Sequence, residues 1–301
     1  SREAAFLANN VLFAIFAFVV LLGTVFPLII EALQDRQIAV GAPFFDKLSM
    51  PIGLALLTLM AIAPVLPWRK ASTETLRDRL FWPAWCGVAA LVASLLLGSY
   101  GVAPLLTFTL GGVASGAALR QVVLATRRQG LRGLVGRANG GMIVHLGVIL
   151  IAVSLGASNS FSKSQELSLV TNVEAQFSGH TFELRDVVEV RDDRSISVKA
   201  LVLVDGKKIY APAITKYTRI GMNVGTPSVR TSLTTDIYLT LEPPVRQDSN
   251  EARIKVFIKP MIMWLWIGTA LMAIGTVLAA FPGRRRKPTE PTSAPVEVAK
   301  S

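Results

Sequence analysis

Very few side chains in this sequence are placed to do chemistry, and the two histidines, His145 and His180, stand out among them. His145 lies in the run NGGMIVHLGVILIAVSLG, which is otherwise apolar or small. A titratable group inside a bilayer is rare and by default functional, because leaving it unpaired there is costly. A neutral imidazole in that place either ligates a metal, haem iron being a common one, or hydrogen-bonds to a neighbouring helix. The residues alone leave both open. Gly140, Gly141 and Gly147 strip side-chain bulk from the helix near it, on patches that a flat macrocycle or another helix could approach. At a rise of about 1.5 Å per residue, His145 lies less than about 10 Å from the start of this run.

The other candidates offer less. His180 opens a strand-like segment, SGHTFELRDV, and reads as an ordinary exposed strand-edge histidine. Cys86 is the only cysteine, which excludes an internal disulfide, a thiolate zinc site and a CxxC redox pair, and it reads as a packing residue. Ser–His–Asp sets, HExxH and phosphate loops find no credible match. The GGVASG run at Gly111–Gly116 suits close helix packing, since no strand precedes it. Carboxylates within the apolar runs, which an ion-coupled carrier would want, are missing as well.

These residues must be positioned by a membrane fold. The 301 residues are 51% apolar and 17% charged, with a mean hydropathy of +0.50. That departs from soluble domains, where about 25% of residues are charged. Six runs meet or approach the roughly 20 residues of a spanning helix. They cover 6–30, 51–68, 81–98, 102–125, 140–157 and 261–281. The net charge of +11 reads as a topology signal and not as a nucleic-acid surface. Arg69, Lys70, Arg77 and Arg79 follow the second run, and Arg127, Arg128, Arg132 and Arg137 follow the fourth. Arg284, Arg285, Arg286 and Lys287 follow the sixth. With alternating spans these segments share one side, the cytoplasmic one, along with both ends of the chain. Trp68, Trp82, Trp85, Trp264 and Trp266 fall at span ends, as interfacial belts do.

Between the fifth and sixth spans the pattern changes to period two. Segments 181–190, 195–204, 207–217, 236–241 and 252–258 read as strands, with Asp205-Gly206 as a hairpin turn. Six or so strands make a small antiparallel barrel or sandwich. The expected organisation is therefore a multi-pass α-helical membrane protein with a β domain inserted before the last span. Residues 1–157 form the five-helix membrane part, 158–258 a periplasmic β domain used for docking, 259–281 the sixth span and 282–301 a disordered cytoplasmic tail. The opening at Ser1 suggests part of a longer polypeptide.

Several segments, taken in order, resemble the C-terminal half of the CcmF/NrfE family, the membrane haem-lyase subunits of bacterial cytochrome c maturation. SREAAFLANNVLF with LLGTVFPLIIEAL is similar to the family's entry and exit of one span, and IAVGAPFFDKLSMPIG to a loop that follows it. NGGMIVHLGV resembles the transmembrane histidine motif. TPSVRTSLTTDIYLTL is similar to a periplasmic segment and KPMIMWLWIGTALMAIG to the final span.

The resemblance implies that His145 is one axial ligand of a b-type haem, with Gly141 beside it as a point of close haem or helix approach, and it gives His180 no haem role. It also implies haem delivery by the chaperone CcmE, attachment to the CxxCH thiols of apocytochrome c together with thiol-handling partners such as CcmH, and electrons from quinol, all in the bacterial inner membrane. The family's tryptophan-rich WWD loop, its periplasmic histidines and its first transmembrane histidine have no counterpart in these residues, so an N-terminal half or a split partner subunit is needed. The alternatives from other classes are a permease subunit and a non-catalytic membrane scaffold with a periplasmic docking domain.

Overall fold

The computed structural model describes residues 2–64, 73–218, 221–244 and 250–281. Among these, six helices are long and apolar enough to cross a membrane. They are α1 (Arg2–Gln34), α2 (Ala42–Ile62), α3 (Thr73–Leu96), α4 (Val102–Gln129), α5 (Arg137–Phe161) and α6 (Ile262–Ala280). A 3-10 turn, Gly130–Leu134, joins α4 to α5. Pro27, Pro51 and Pro83 lie inside α1, α2 and α3. In a membrane bundle, neighbouring helices and local adjustment re-satisfy the backbone groups that proline frees.

The second span differs from its sequence expectation of 51–68. The helix starts at Ala42, with proline in its first turn, and passes straight through Pro51. Gly41, extended, is its N-cap. The segment expected as a loop, APFFDKLSM, is thus its first half. Proline is favoured at the first helical positions, so Pro43 starts the helix. Phe44 and Phe45 then lie against Gly23 of α1, where any Cβ would come within 2.6 Å of Phe45. Trp68, Arg69 and Lys70, the group from Arg284 to Lys287 and the tail expected over 282–301 lie outside the described residues.

Glycine sets the helix packing. Gly140 and Gly147 on α5 meet Gly268 and Gly275 on α6, and both pairs are spaced seven residues apart. A Cβ on Gly147 would lie 2.6 Å from Gly268 O, and one on Gly275 would lie 2.7 Å from Val144 N. Gly136 N–H donates to Leu278 O at 2.9 Å at the same seam. Membrane helices gain by such close backbone approach, because lipid supplies no hydrophobic drive between them. GGVASG behaves the same way: Gly112 and Gly116 of α4 pack on Cys86 and Gly87 of α3. Leu57 and Ala61 of α2, Ala114 of α4 and Ile149 of α5 form the buried centre of the bundle.

Between α5 and α6 stands an antiparallel β half-barrel of ten strands among the described residues. One sheet has β1 (Lys163–Val170), β10 (Glu251–Pro260), β9 (Thr235–Leu241) and β8 (Ser228–Arg230), in that order. The other has β2 (Glu174–Phe177), β3 (His180–Asp192), β4 (Ser195–Val204), β6 (Ala213–Tyr217) and β7 (Asn223–Thr226), with β5 (Lys208–Tyr210) also on β4. Alternate residues fill one core. Leu167 and Leu169, Phe182 and Leu184, Val202 and Val204, Leu239 and Leu241, and Ile254 and Val256 are all buried there. The run expected as one strand over 207–217 is broken at Ala211-Pro212 into β5 and β6. Asp205 and Gly206 both have positive φ, 51° and 62°, as a type I′ hairpin requires.

Candidate functional site

α5 carries His145 about a third of the way along its length. One face of the helix, with Gly140, Val144, Gly147 and Ile151, is taken up by α6. Gly141, His145 and Ile149 are spaced four apart and so lie on another face. Ile149 belongs to the buried centre with α2 and α4, which places His145 one turn nearer the start of α5 on that same side. The side chain is half-buried. Its Nδ1 is buried and without a hydrogen-bond partner. A buried polar atom left unpaired costs about 1–3 kcal/mol, which marks Nδ1 as a position where a partner would be stabilising.

The three glycines near His145 divide cleanly. Gly140 and Gly147 serve helix packing, as their contacts with Ala279, Met272 and Gly268 show. Gly141 is different, because a Cβ built there meets nothing within 4 Å. One turn before the histidine, the helix surface is open.

His180 is not simply exposed. Its Nδ1 lies 2.8 Å from Asp205 Oδ2, and Thr181 N–H donates to Asp205 Oδ1 at 3.0 Å. Partial burial pushes the Asp205 carboxyl up, but the bonds from His180 and Thr181 and the charges of His180 and Lys207 together hold it below the usual carboxylate range. The pair is separated by 25 residues, so only the strand pairing of β3 with β4 reveals it. Cys86 lies against Gly116 at the α3–α4 contact but is otherwise exposed.

Two features go beyond the sequence reading. Asp236, at the start of β9, is buried to 6% exposure, with Oδ2 taking the Thr231 hydroxyl at 3.1 Å and Oδ1 unpartnered. Trp264 does more than sit at a span end. Its indole N–H donates to Leu233 O at 2.9 Å, while Met261 N–H donates to Thr234 O at 3.0 Å. Segment 231–235 therefore clasps the β half-barrel to the first turn of α6. Among the described residues no group of three or more His, Cys, Asp or Glu could hold a metal ion.

Six membrane-length helices, a histidine within the fifth of them and a β half-barrel inserted before the sixth define a polytopic membrane protein. No family model matches the chain. It is 30% identical over 296 residues to "Cytochrome c-type biogenesis protein CcmF" of Pseudomonas fluorescens, covering 95% of this chain and 44% of that protein. The protein of the same name in Escherichia coli is 28% identical over 301 residues, covering 97% and 45%. "Cytochrome c-type biogenesis protein NrfE" of Haemophilus influenzae is 26% identical over 298 residues, covering 95% and 45%. The solved structure "Cytochrome c Heme Lyase CcmF" matches with a TM-score of 0.75 at 25% identity, over 94% of this chain and 46% of that one.

The chain is thus homologous, along nearly its whole length, to the CcmF/NrfE family of cytochrome c-type biogenesis proteins. It spans a little under half the length of the relatives it matches, consistent with a C-terminal half.

Proposed function

We propose that the chain is the C-terminal part of a membrane haem lyase for cytochrome c maturation, with His145 as one axial ligand of a b-type haem. The observation that carries this reading is the buried, unpartnered Nδ1 of His145 on a helix whose flank at Gly141 is open. An imidazole satisfied by its own bundle would need neither a partner from elsewhere nor that open flank. The residues present fit one side of a haem. His145 would supply the ligand, and Gly141 would let the macrocycle or a ligand-bearing helix come close. Bound there, the haem would supply a one-electron iron centre that quinol can reduce.

The rest of the chain positions that imidazole. The glycine seam with α6 fixes the rotation of α5, and the small residues of α4 let the bundle close on Ile149 beside it. The second ligand belongs to the complementary N-terminal half or a split partner subunit. CcmE as haem donor, apocytochrome c CxxCH thiols as acceptors and CcmH as thiol-handling partner complete the reading. Arg127, Arg128, Arg132 and Arg137 lie around the α4–α5 turn, and such a positive bias supports the reading that this turn, and both chain ends, face the cytoplasm of a bacterial inner membrane. The β half-barrel is then periplasmic, where cytochrome c is matured.

Complementation tests the reading. In a strain lacking its own family protein, the chain co-expressed with the N-terminal half of a relative should restore covalent cytochrome c, while either half alone should not. Stable, membrane-inserted halves that never restore it would count against a role in attachment.

A further inference from the structure

Four strands end the two sheet paths: β1 and β8 in one, β2 and β7 in the other. Three of them carry charge, Lys163 and Glu166 on β1, Arg230 on β8 and Glu174 on β2. Charge is a common means of discouraging further pairing at a sheet edge. β7 (Asn223–Thr226) has none and is exposed throughout. Its main chain is also turned outward at alternate residues. Tyr217 N–H donates to Met222 O at 3.0 Å, and the register continues with Lys216 opposite Asn223, Thr215 opposite Val224, Ile214 opposite Gly225 and Ala213 opposite Thr226. Antiparallel pairs alternate between bonded and non-bonded, so Val224 and Thr226 direct their N–H and C=O to β6. Those of Asn223 and Gly225 point away from β6, on the side where no strand follows among the described residues.

Both residues line a cleft of about 340 Å³, whose other wall includes Thr240, Leu241 and Glu242 at the end of β9. Glu242 N–H donates to Arg253 O at 2.9 Å. By the same alternation Leu241, opposite Ile254, turns its main chain away from β10. On that side β8 begins at Ser228, opposite Leu239, and stops short of Leu241. Pro227, between β7 and β8, has no N–H with which to close the gap. Main chain without a strand partner therefore stands on both walls. Glu242 is the one charged residue that lines the cleft among the described residues. Its Oε1 takes the Thr240 hydroxyl at 3.1 Å, and no ion pair reaches it among those residues.

We propose that this cleft holds an extended polypeptide segment bearing a basic side chain, which adds as a strand to β7 while its cation meets Glu242. An open row of main-chain donors and acceptors is complementary to another main chain, and neighbouring pockets then select alternate side chains. Gly225 keeps the approach clear, for a Cβ built there meets nothing within 4 Å. The carboxylate of Glu242 sets the sign of the charge: it attracts lysine or arginine and repels acidic segments. The inference builds on the docking role expected of the half-barrel and gives that role a surface and a partner chemistry. It needs neither His145 nor haem, so it stands or falls separately from the ligand reading.

The test is fluorescence anisotropy of the full chain in lipid nanodiscs with a labelled seven-residue peptide of alternating threonine and lysine. Two control peptides accompany it, one N-methylated at alternate residues and one with glutamate for lysine. The lysine peptide should bind, and both controls should lose binding. Gly225→Leu, which fills open space without a clash in the fold, should abolish binding, and Glu242→Gln should weaken it about threefold. His145→Ala should bind as wild type does. Hydrogen exchange locates the contact: the Asn223 and Gly225 amides should exchange freely in the unbound chain and become protected with the peptide. No binding by wild type, or equal binding of the N-methylated peptide, would overturn strand addition. Equal binding of the glutamate peptide would overturn the charge selection. Binding that survives Gly225→Leu, or leaves those two amides unprotected, would overturn the site.

Discussion

Gly147 and Gly268 meet backbone to backbone: a Cβ on Gly268 would stand 2.8 Å from the carbonyl oxygen of Gly147. This contact, repeated one heptad away by Gly140 and Gly275, leaves α5 no freedom to rotate against α6. Any side chain at Gly147 or Gly268 must push the helices apart. Gly147→Leu should therefore lower thermal stability more than Gly141→Ala, whose Cβ meets open space. The expected cost of overpacking is about 1–3 kcal/mol. Equal melting temperatures for the two variants in detergent would contradict the seam.

The clasp onto α6 gives a second expectation. Trp264→Phe keeps the ring but removes the N–H that Leu233 O accepts, at a cost of about 1 kcal/mol. Proteolysis near Leu233 should become faster while the rest of the half-barrel stays protected. Unchanged cleavage would mean that the indole bond does not hold the segment.

Much of this architecture was legible in the chain, for identifiable reasons. Six apolar runs and a period-two insert are one-dimensional signals, and they gave the helix number and the inserted sheet. The missed strands lack such signals. β7 is exposed throughout and β8 has three residues, so neither alternates. β1 is paired with β10, some eighty or more residues away, and Leu167 and Leu169 are buried only in the core that the two sheets share. His145 was visible because it is polar among apolar neighbours. The His180–Asp205 pair and the burial of Asp236 depend on what tertiary structure brings alongside, which spacing does not encode.

Acid should loosen the Asp205 hairpin. A carboxylate with a lowered folded pKa contributes stability that is fully present above its unfolded value, about 3.9, and lost as pH falls through the lower folded one. Thermal unfolding of wild type should thus fall more steeply below about pH 4 than that of Asp205→Asn, which has no such proton to take up. Parallel profiles would show that the two hydrogen bonds do not depend on its charge.

Orientation can be read directly. Alkaline phosphatase fused after Asp192, at the far end of β3, should be active, and fused after Gly130, in the α4–α5 turn, inactive. The opposite pattern would move the half-barrel to the cytoplasm and remove it from the compartment where cytochrome c receives haem.

The central claim is that the unpartnered imidazole of His145 waits for iron. The most direct measurement is the reduced-minus-oxidised visible spectrum of the chain purified from membranes with its complementary half, for wild type and His145→Ala. Wild type should show the bands of a low-spin b-type haem. His145→Ala should lose them while protein abundance and β-half-barrel protection stay the same, and His145→Gly with added imidazole should recover part of the signal. Full haem occupancy and an unchanged spectrum in His145→Ala would contradict the account, leaving the histidine as a packing residue of α5.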